Sequence, residues 1–284
     1  MKKFLALMLA LVMVFALAAC GEAETEETTP ATEPAGEETP AGEETAPAGE
    51  TGEFTTVEEG KLIMATNAAF PPYEMTDDSG AVIGIDADLA AAIAEKLGLE
   101  LVIDDMDFDG ALLAVQQGKA DMMLAGLSVT PDREAVMDFS DSYATGVQVV
   151  IVTEDSDIAT SDDLVGKLIG TQRGTTGYIY ASDTPENGGY GEDAVIPYDN
   201  GITAVQALKN GQVDAVIIDN GPAQEFVAAN PGLKILETPW VEEEYAIGLT
   251  KGNDALNAAI NNALAELIED GTVQSIIDKY ITAE

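Results

Sequence analysis

Between residues 57 and 284 the apolar positions follow two periods in turn, and each change of period marks an element. Short unbroken apolar runs read as buried strands, and apolar residues three and four apart read as helices. Residues 61–66 are the first such run, a predicted strand. Residues 86–97 carry Leu89, Ile93 and Leu97 on one stripe, which predicts a helix capped by Asp86 or Asp88 and stopped by Gly98. A strand at 99–103, a helix at 109–117 ended by Gly118 and a buried strand at 122–127 follow. Farther on, residues 147–152 are apolar without helical spacing, a strand suited to cross between two halves of the molecule. A short capped helix at 161–166, a strand at 168–172, a short helix at 178–181 and a returning strand at 245–250 come next. Leu256, Ile260, Leu264 and Leu267 share one face of a predicted helix at 256–267, and 273–280 forms the last. Strands alternating with helices in this way predict an α/β chain.

One unit of the pattern occurs twice. Val115-Gln-Gln-Gly-Lys-Ala-Asp-Met-Met-Leu-Ala-Gly126 aligns without gaps on Leu208-Lys-Asn-Gly-Gln-Val-Asp-Ala-Val-Ile-Ile-Asp219. Each copy reads as helix end, Gly stop, Asp turn and buried strand. Ligands of helix-alternating sheets sit beyond the C-terminal ends of the strands. The repeat therefore predicts two similar lobes with Gly126 and Asp219 at equivalent strand ends.

The chemistry gathers at those ends. In Leu124-Ala-Gly-Leu-Ser-Val-Thr-Pro-Asp-Arg133, Thr130 reads as an N-cap and Pro131 as the first helical residue. Free backbone N–H groups, two hydroxyls and a helix start converge there, which suits an anion. Arg133 falls in the first turn, where the helix dipole disfavours a cation, so it needs a bidentate partner such as a carboxylate. A salt bridge to Asp132, Glu134 or Asp138 accounts for it equally well. Arg173-Gly-Thr-Thr-Gly177 is a second anion-binding turn, and lacks the Lys-[Ser/Thr] of a phosphate loop. Two prolines hold Phe70 in an extended loop. Asp105-Met-Asp-Phe-Asp-Gly110 imitates a calcium loop, but its twelfth position is Gln116, so a cap at Asp109 with Phe108 aimed at the cleft is the better reading. Trp240-Val-Glu-Glu-Glu244 reads as a solvated stretch.

The ends and the composition limit the context. Residues 1–20 have a basic start at Lys2 and Lys3, an apolar stretch from Phe4 to Leu17 and the ending Leu17-Ala18-Ala19-Cys20-Gly21, which resembles a bacterial lipobox. That resemblance implies cleavage before Cys20 and lipid attachment to it, and several acyl chains anchor firmly. Residues 21–56 are Glu, Thr, Pro, Ala and Gly in loose repeats, with almost nothing to bury, and predict a disordered acidic linker. The chain carries 52 acidic and 12 basic residues, net −40, which excludes nucleic acid as a partner. With no histidine and one cysteine, there is no Ser-His-Asp triad, no histidine metal site and no disulfide within one chain. No metal and no cofactor are expected.

Taken together, the motifs resemble the polar amino-acid-binding proteins of bacterial ATP-driven importers, solute-binding family 3. The matching stretches are Asn67-Ala-Ala-Phe-Pro-Pro-Tyr-Glu74, Gly84-Ile-Asp-Ala-Asp-Leu-Ala90, Asp107-Phe-Asp-Gly110, Gly126-Leu-Ser-Val-Thr-Pro-Asp-Arg133, Asp138-Phe-Ser-Asp-Ser-Tyr143, Gly174-Thr-Thr-Gly177, Val213-Asp-Ala-Val-Ile-Ile-Asp219 and Asp270-Gly-Thr272. The resemblance implies an α/β, two-lobe periplasmic-binding-protein type II fold with a ligand cleft between the lobes and a two-strand hinge. It implies residues 57–145 plus 245–284 as lobe 1 and 146–244 as lobe 2. It also implies that Arg133 holds the α-carboxylate of a free polar L-amino acid, with donors from Gly126, Ser128 and Thr175 or Thr176. Asp219 would take the ammonium, Phe70 and Phe108 would wall the side chain, and Gln172 would lie where ligands differ. Many relatives have Asp where this chain has Asn67, which leans the expected side chain towards neutral or thiol.

The expected protein is thus a monomeric, lipid-anchored receptor on the outer face of the cell membrane, serving an ABC permease. A cyclohexadienyl-dehydratase-like enzyme on the same fold is the alternative, and would aim a carboxylate at a substrate ring. An extracellular amino-acid sensor is the third reading, and expects a signalling segment that the sequence through residue 284 does not show.

Overall fold

The computed structural model describes residues 54–236 and 239–281. The signal segment, Cys20 and the linker up to residue 53 lie outside the described residues. The first described residues already touch the folded domain. Phe54 packs against the main core, and the Asn253 side chain donates to the Thr55 carbonyl at 3.1 Å.

The strands are β1 (Lys61–Thr66), β2 (Ala69–Phe70), β3 (Glu74–Thr76), β4 (Val82–Ile83), β5 (Glu100–Asp105), β6 (Met122–Met123), β7 (Met137–Thr153), β8 (Ile169–Gln172), β9 (Val195–Tyr198), β10 (Ala215–Asp219), β11 (Leu233–Ile235) and β12 (Val241–Thr250). The α-helices are α1 (Ile85–Leu97), α2 (Phe108–Gln116), α3 (Pro131–Glu134), α4 (Thr176–Ser182), α5 (Gly201–Lys209), α6 (Asn220–Ala229), α7 (Asp254–Glu269) and α8 (Thr272–Tyr280). The predicted helix at 161–166 is a single 3-10 turn, Ser161–Leu164, closed by a capping box between Thr160 and Asp163.

Two long strands carry the architecture. β7 and β12 run antiparallel from Val241 opposite Gln148 to Thr250 opposite Met137, with irregularities at Tyr245 and Ala246. On one side β6 joins β12, and β1 and β5 continue the sheet in parallel. On the other, β10 pairs with the far half of β7, and β8 and β9 extend it in parallel. A single sheet thus serves two lobes joined by two continuous strands. Both crossing strands are longer than their apolar runs suggest, because Ser, Thr and Glu interrupt those runs where the strands pass between the lobes.

The repeat is visible atom by atom. Gly118 and Gly211 both end a helix at positive φ, 64° and 69°. Each N–H donates at 3.0 Å to a helix carbonyl, of Val115 and of Leu208. The Asp121 and Asp214 carboxylates then accept at 2.8 Å from Ile63 N–H and Leu168 N–H, at the start of the neighbouring parallel strands. One αβ junction is built twice by the same hydrogen bonds.

Two expected caps are replaced. α1 starts after Gly84, and Asp86 is fully buried among polar partners instead of capping the helix. α2 starts after Asp107, while Asp109 lies against Gly174 of the opposite lobe. The predicted strand at 122–127 pairs regularly only at Met122–Met123, because the chain turns at Gly126, φ 52°. A Cβ on Gly126 would stand 2.7 Å from the Phe70 ring, so a bare backbone is required there on two counts.

Candidate functional site

The cleft lies where the strand ends of both lobes meet. Its lining is drawn from Asn67, Phe70, Glu74, Phe108, Ala125, Gly126, Ser128, Arg133, Gln172, Thr175, Thr176 and Asp219. All ten ligand residues expected from the sequence are among them, and Glu74 and Ala125 are additions.

Arg133 defines one end. Thr130 caps α3 through its side chain, which accepts from Arg133 N–H at 3.3 Å, and Pro131 occupies the first helical position. This short cap turns the arginine inward, where it is 7 % exposed. Its Nη1 donates to the Ser128 carbonyl at 2.7 Å and its Nη2 to the Gly174 carbonyl, across the cleft, at 3.1 Å. Its guanidinium carbon stands 5.5 Å from the centroid of the Phe108 ring. No salt bridge to Asp132, Glu134 or Asp138 occurs among the described residues, and Asp138 faces Lys251 at 3.8 Å instead. Burial lowers the Arg133 pKa, while the field of Glu243 opposes that shift.

Asp219 defines the other end. It ends β10 with its backbone in extended conformation and makes no capping bond to α6. One carboxyl oxygen accepts from Gln148 Nε2 at 2.9 Å and the other from the Tyr245 hydroxyl. Burial first, and then the nearby Glu243 charge, push the Asp219 pKa up to about 7 against these two donors.

Glu243 corrects an expectation. The run 240–244 is not a solvated stretch, because Val241–Thr250 is strand and Glu243 is 8 % exposed. Its Oε2 accepts from Gln148 Nε2 and from Thr176 Oγ1, both at 2.9 Å. The Gln148 amide thus bridges two carboxylates at the hinge. Period two was the available signal: 241, 243 and 245 share a strand face, and Tyr245 is fully buried. Three consecutive glutamates masked it.

The walls touch across the cleft. Gln172 Nε2 donates to Asn67 Oδ1 at 2.9 Å, and the Ser128 and Thr176 hydroxyls stand 3.4 Å apart. Asn67 is also tied to its own lobe through Nδ2 and the Met106 carbonyl at 2.8 Å. Gly174, φ 74°, admits the Asp109 carboxylate so closely that a Cβ would collide with it. Thr175 caps α4, and its hydroxyl donates to the Gln172 carbonyl at 2.8 Å. The buried side-chain atoms left without a hydrogen-bond partner here are mostly acceptors: both Glu74 oxygens and one oxygen each of Gln148, Gln172 and Glu243.

A two-lobed α/β scaffold joined by two crossing strands, with a guanidinium and a carboxylate lining one cleft, defines the type II binding-protein fold. The model for bacterial extracellular solute-binding proteins, family 3, matches residues 62–283, and the chain belongs to that family. It is 31% identical over 289 residues to the arginine-binding extracellular protein ArtP of Bacillus subtilis, covering 100% of both chains. It is 29% identical over 230 residues to the L-cystine-binding protein TcyJ of Escherichia coli, covering 80% of this chain and 85% of that one. Among solved structures, the arginine-, lysine-, histidine-binding protein ArtJ of Geobacillus stearothermophilus superposes with a TM-score of 0.73 at 32% identity, over 79% of this chain and 96% of that one.

Proposed function

We propose that the protein captures a free L-amino acid between its lobes and presents it to the membrane permease of an ABC importer, without changing it chemically. The observation that carries this reading is the buried Arg133 guanidinium, whose protein partners are backbone carbonyls and a ring, across one cavity from the Asp219 carboxylate. A zwitterion supplies the missing charge at each end. In this reading Arg133 takes the α-carboxylate with Ser128, Thr175 and Thr176, and Asp219 takes the ammonium; the Gly126 N–H, expected as a further donor to the carboxylate, is instead engaged by Asp86 at 2.9 Å. Phe70, Phe108, Asn67 and Gln172 enclose the side chain. Residues 57–145 plus 245–284 and 146–244 move as the two lobes, and Cys20 carries the lipid that holds a monomeric receptor at the outer membrane face.

The unpartnered Gln172 Oε1 in the cavity wall favours a donor-bearing, cationic side chain over the thiol suggested by Asn67. Relatives named for arginine and histidine agree with that preference. A ligand with equal affinity for open and closed forms would shift nothing, so closure needs contacts made on both lobes at once.

Calorimetric titration of the protein with each common L-amino acid tests the proposal. One-to-one binding, strongest for a cationic side chain and with the ligand recovered intact, is expected. Turnover of a cyclic acid without amino-acid binding would transfer the protein to the enzyme reading.

A further inference from the structure

Glu74 opens β3, is 1 % exposed and lines the cavity shared by Arg133 and Asp219. Neither of its carboxyl oxygens has a hydrogen-bond partner. An ionised carboxyl buried without a partner is costly, so the group keeps its proton or meets a cation. The elements packed around it bring no cation. Helix α1 contributes Asp86, the end of β10 contributes Asp219 and the end of β5 contributes Asp105. The remaining titratable neighbours are the Tyr73 and Tyr143 rings.

Asp86 is the carboxyl close enough to share a hydrogen bond with it. The two are furnished differently. Asp86 accepts from Gly126 N–H at 2.9 Å and from the Tyr143 hydroxyl at 2.8 Å, so it is equipped to be the anion. Glu74 has no such donors, and a proton carried by Glu74 and offered to Asp86 satisfies both groups. Burial and the charge on Asp86 accordingly hold Glu74 well above the usual carboxylate range.

We propose that Glu74 is a further ligand-binding residue: a neutral acid in the ligand-free protein that yields its proton to solvent when the ligand's ammonium enters, and then serves with Asp219 as a second carboxylate on the amine. Only the O–H bond of Glu74 breaks, and no electrons are exchanged. The inference rests on the reading of the cleft as an amino-acid site, and it makes capture a proton-releasing event. Linkage then requires affinity to rise with pH, by up to about tenfold per unit, for as long as the free protein holds the proton and the complex does not.

Two measurements decide it. Infrared difference spectra of ligand-free wild type and Glu74→Gln at neutral pH need no ligand. The carbonyl stretch of a protonated acid should be present in the wild type and lost in the variant, and identical spectra would overturn the proposal. Calorimetry with the best-binding amino acid, in two buffers of unlike ionisation enthalpy, reads the proton directly. The wild type should release about one proton per ligand more than Glu74→Gln, whose residual release comes from Asp219, and the variant should bind roughly tenfold more weakly with a shallower pH dependence. Unchanged release from Glu74→Gln, with binding intact, sinks this inference alone. Failure of every amino acid to bind would instead remove the functional reading on which it rests.

Discussion

The two lobes build the same αβ junction and then end their strands with opposite chemistry. Up to the Asp121 and Asp214 turns, the bonds that end the helix and tie the aspartate to the neighbouring strand correspond, and Asp121 accepts one more, from Val57 N–H. Beyond them, the first lobe offers a bare turn at Gly126 and an inward arginine seven residues on, while the second ends in the carboxylate of Asp219. A repeated scaffold thus places two strand ends face to face, and the residues at the tips set the polarity of the cleft. The ends also differ in how they are assembled. The Arg133 end is local, since its cap and one of its two carbonyl partners lie within residues 128–133. The Asp219 end draws on Gln148, Thr176, Glu243 and Tyr245, which arrive from three other elements.

Removing the arginine is the most severe way to break this polarity. Arg133→Ala should weaken amino-acid binding by about 2–5 kcal/mol, because the ligand carboxylate is then buried without its partner. The circular dichroism of the fold should be retained, since the arginine's protein partners are backbone carbonyls at a cleft surface. Calorimetry showing near wild-type affinity would remove Arg133 from the site.

The local and assembled ends explain what was legible in the sequence. The Thr130-Pro131 cap, the glycine turns and the apolar periods act within a few residues, so most helices, the repeat and the cap that precedes Arg133 could be read directly. The α/β order and both lobes followed from the same signals. Glu243, Gln148 and Tyr245 could not be assigned roles, because each acts through a pairing that only the folded sheet creates. Gln148 faces Asp219 by strand register and lies opposite Val241 on its other side. Asp86 was misread for a related reason. Its position in a first helical turn suggests a cap, but tertiary contact with Gly126 and Tyr143 wins.

The acidic end makes a second, graded prediction, on stability in the absence of ligand. Burial raises Asp219 to about 7 and Asp86 to about 6, and burial with the charge on Asp86 holds Glu74 well above its usual range. A carboxyl raised on folding binds its proton more tightly in the native state than in the unfolded chain. Native protons therefore outnumber unfolded ones between about pH 4 and pH 7, and stability must fall as pH rises through that window, by at most about 1.4 kcal/mol per unit for each group. The expected melting temperature declines from pH 5 to pH 8, and Asp219→Asn flattens part of the slope. A flat or rising curve over that range would show that these carboxyls are ionised in the folded protein. The Arg133 end adds no such slope, so the pH profile isolates one end of the cleft from the other.

The smallest effect tests whether the two junctions are equivalent in energy as well as in pattern. Asp121 is 2 % exposed and accepts from two backbone N–H groups, Ile63 at 2.8 Å and Val57 at 2.7 Å. Asp214 is exposed and accepts one side-chain-directed bond, from Leu168. Asp121→Ala strands two donors, one of them buried, and should cost about 1–3 kcal/mol of folding stability, whereas Asp214→Ala should cost about 0.5–1.5 kcal/mol. Neither aspartate reaches the cleft, so amino-acid affinity should be unchanged in both variants once they are folded. Denaturant unfolding gives the two costs. Equal losses would mean that the second bond to Asp121 contributes nothing, and that the first lobe gains no extra hold from the segment entering it at Val57. A larger loss for Asp214→Ala would reverse the ranking and locate the weaker junction in the lobe that carries Arg133.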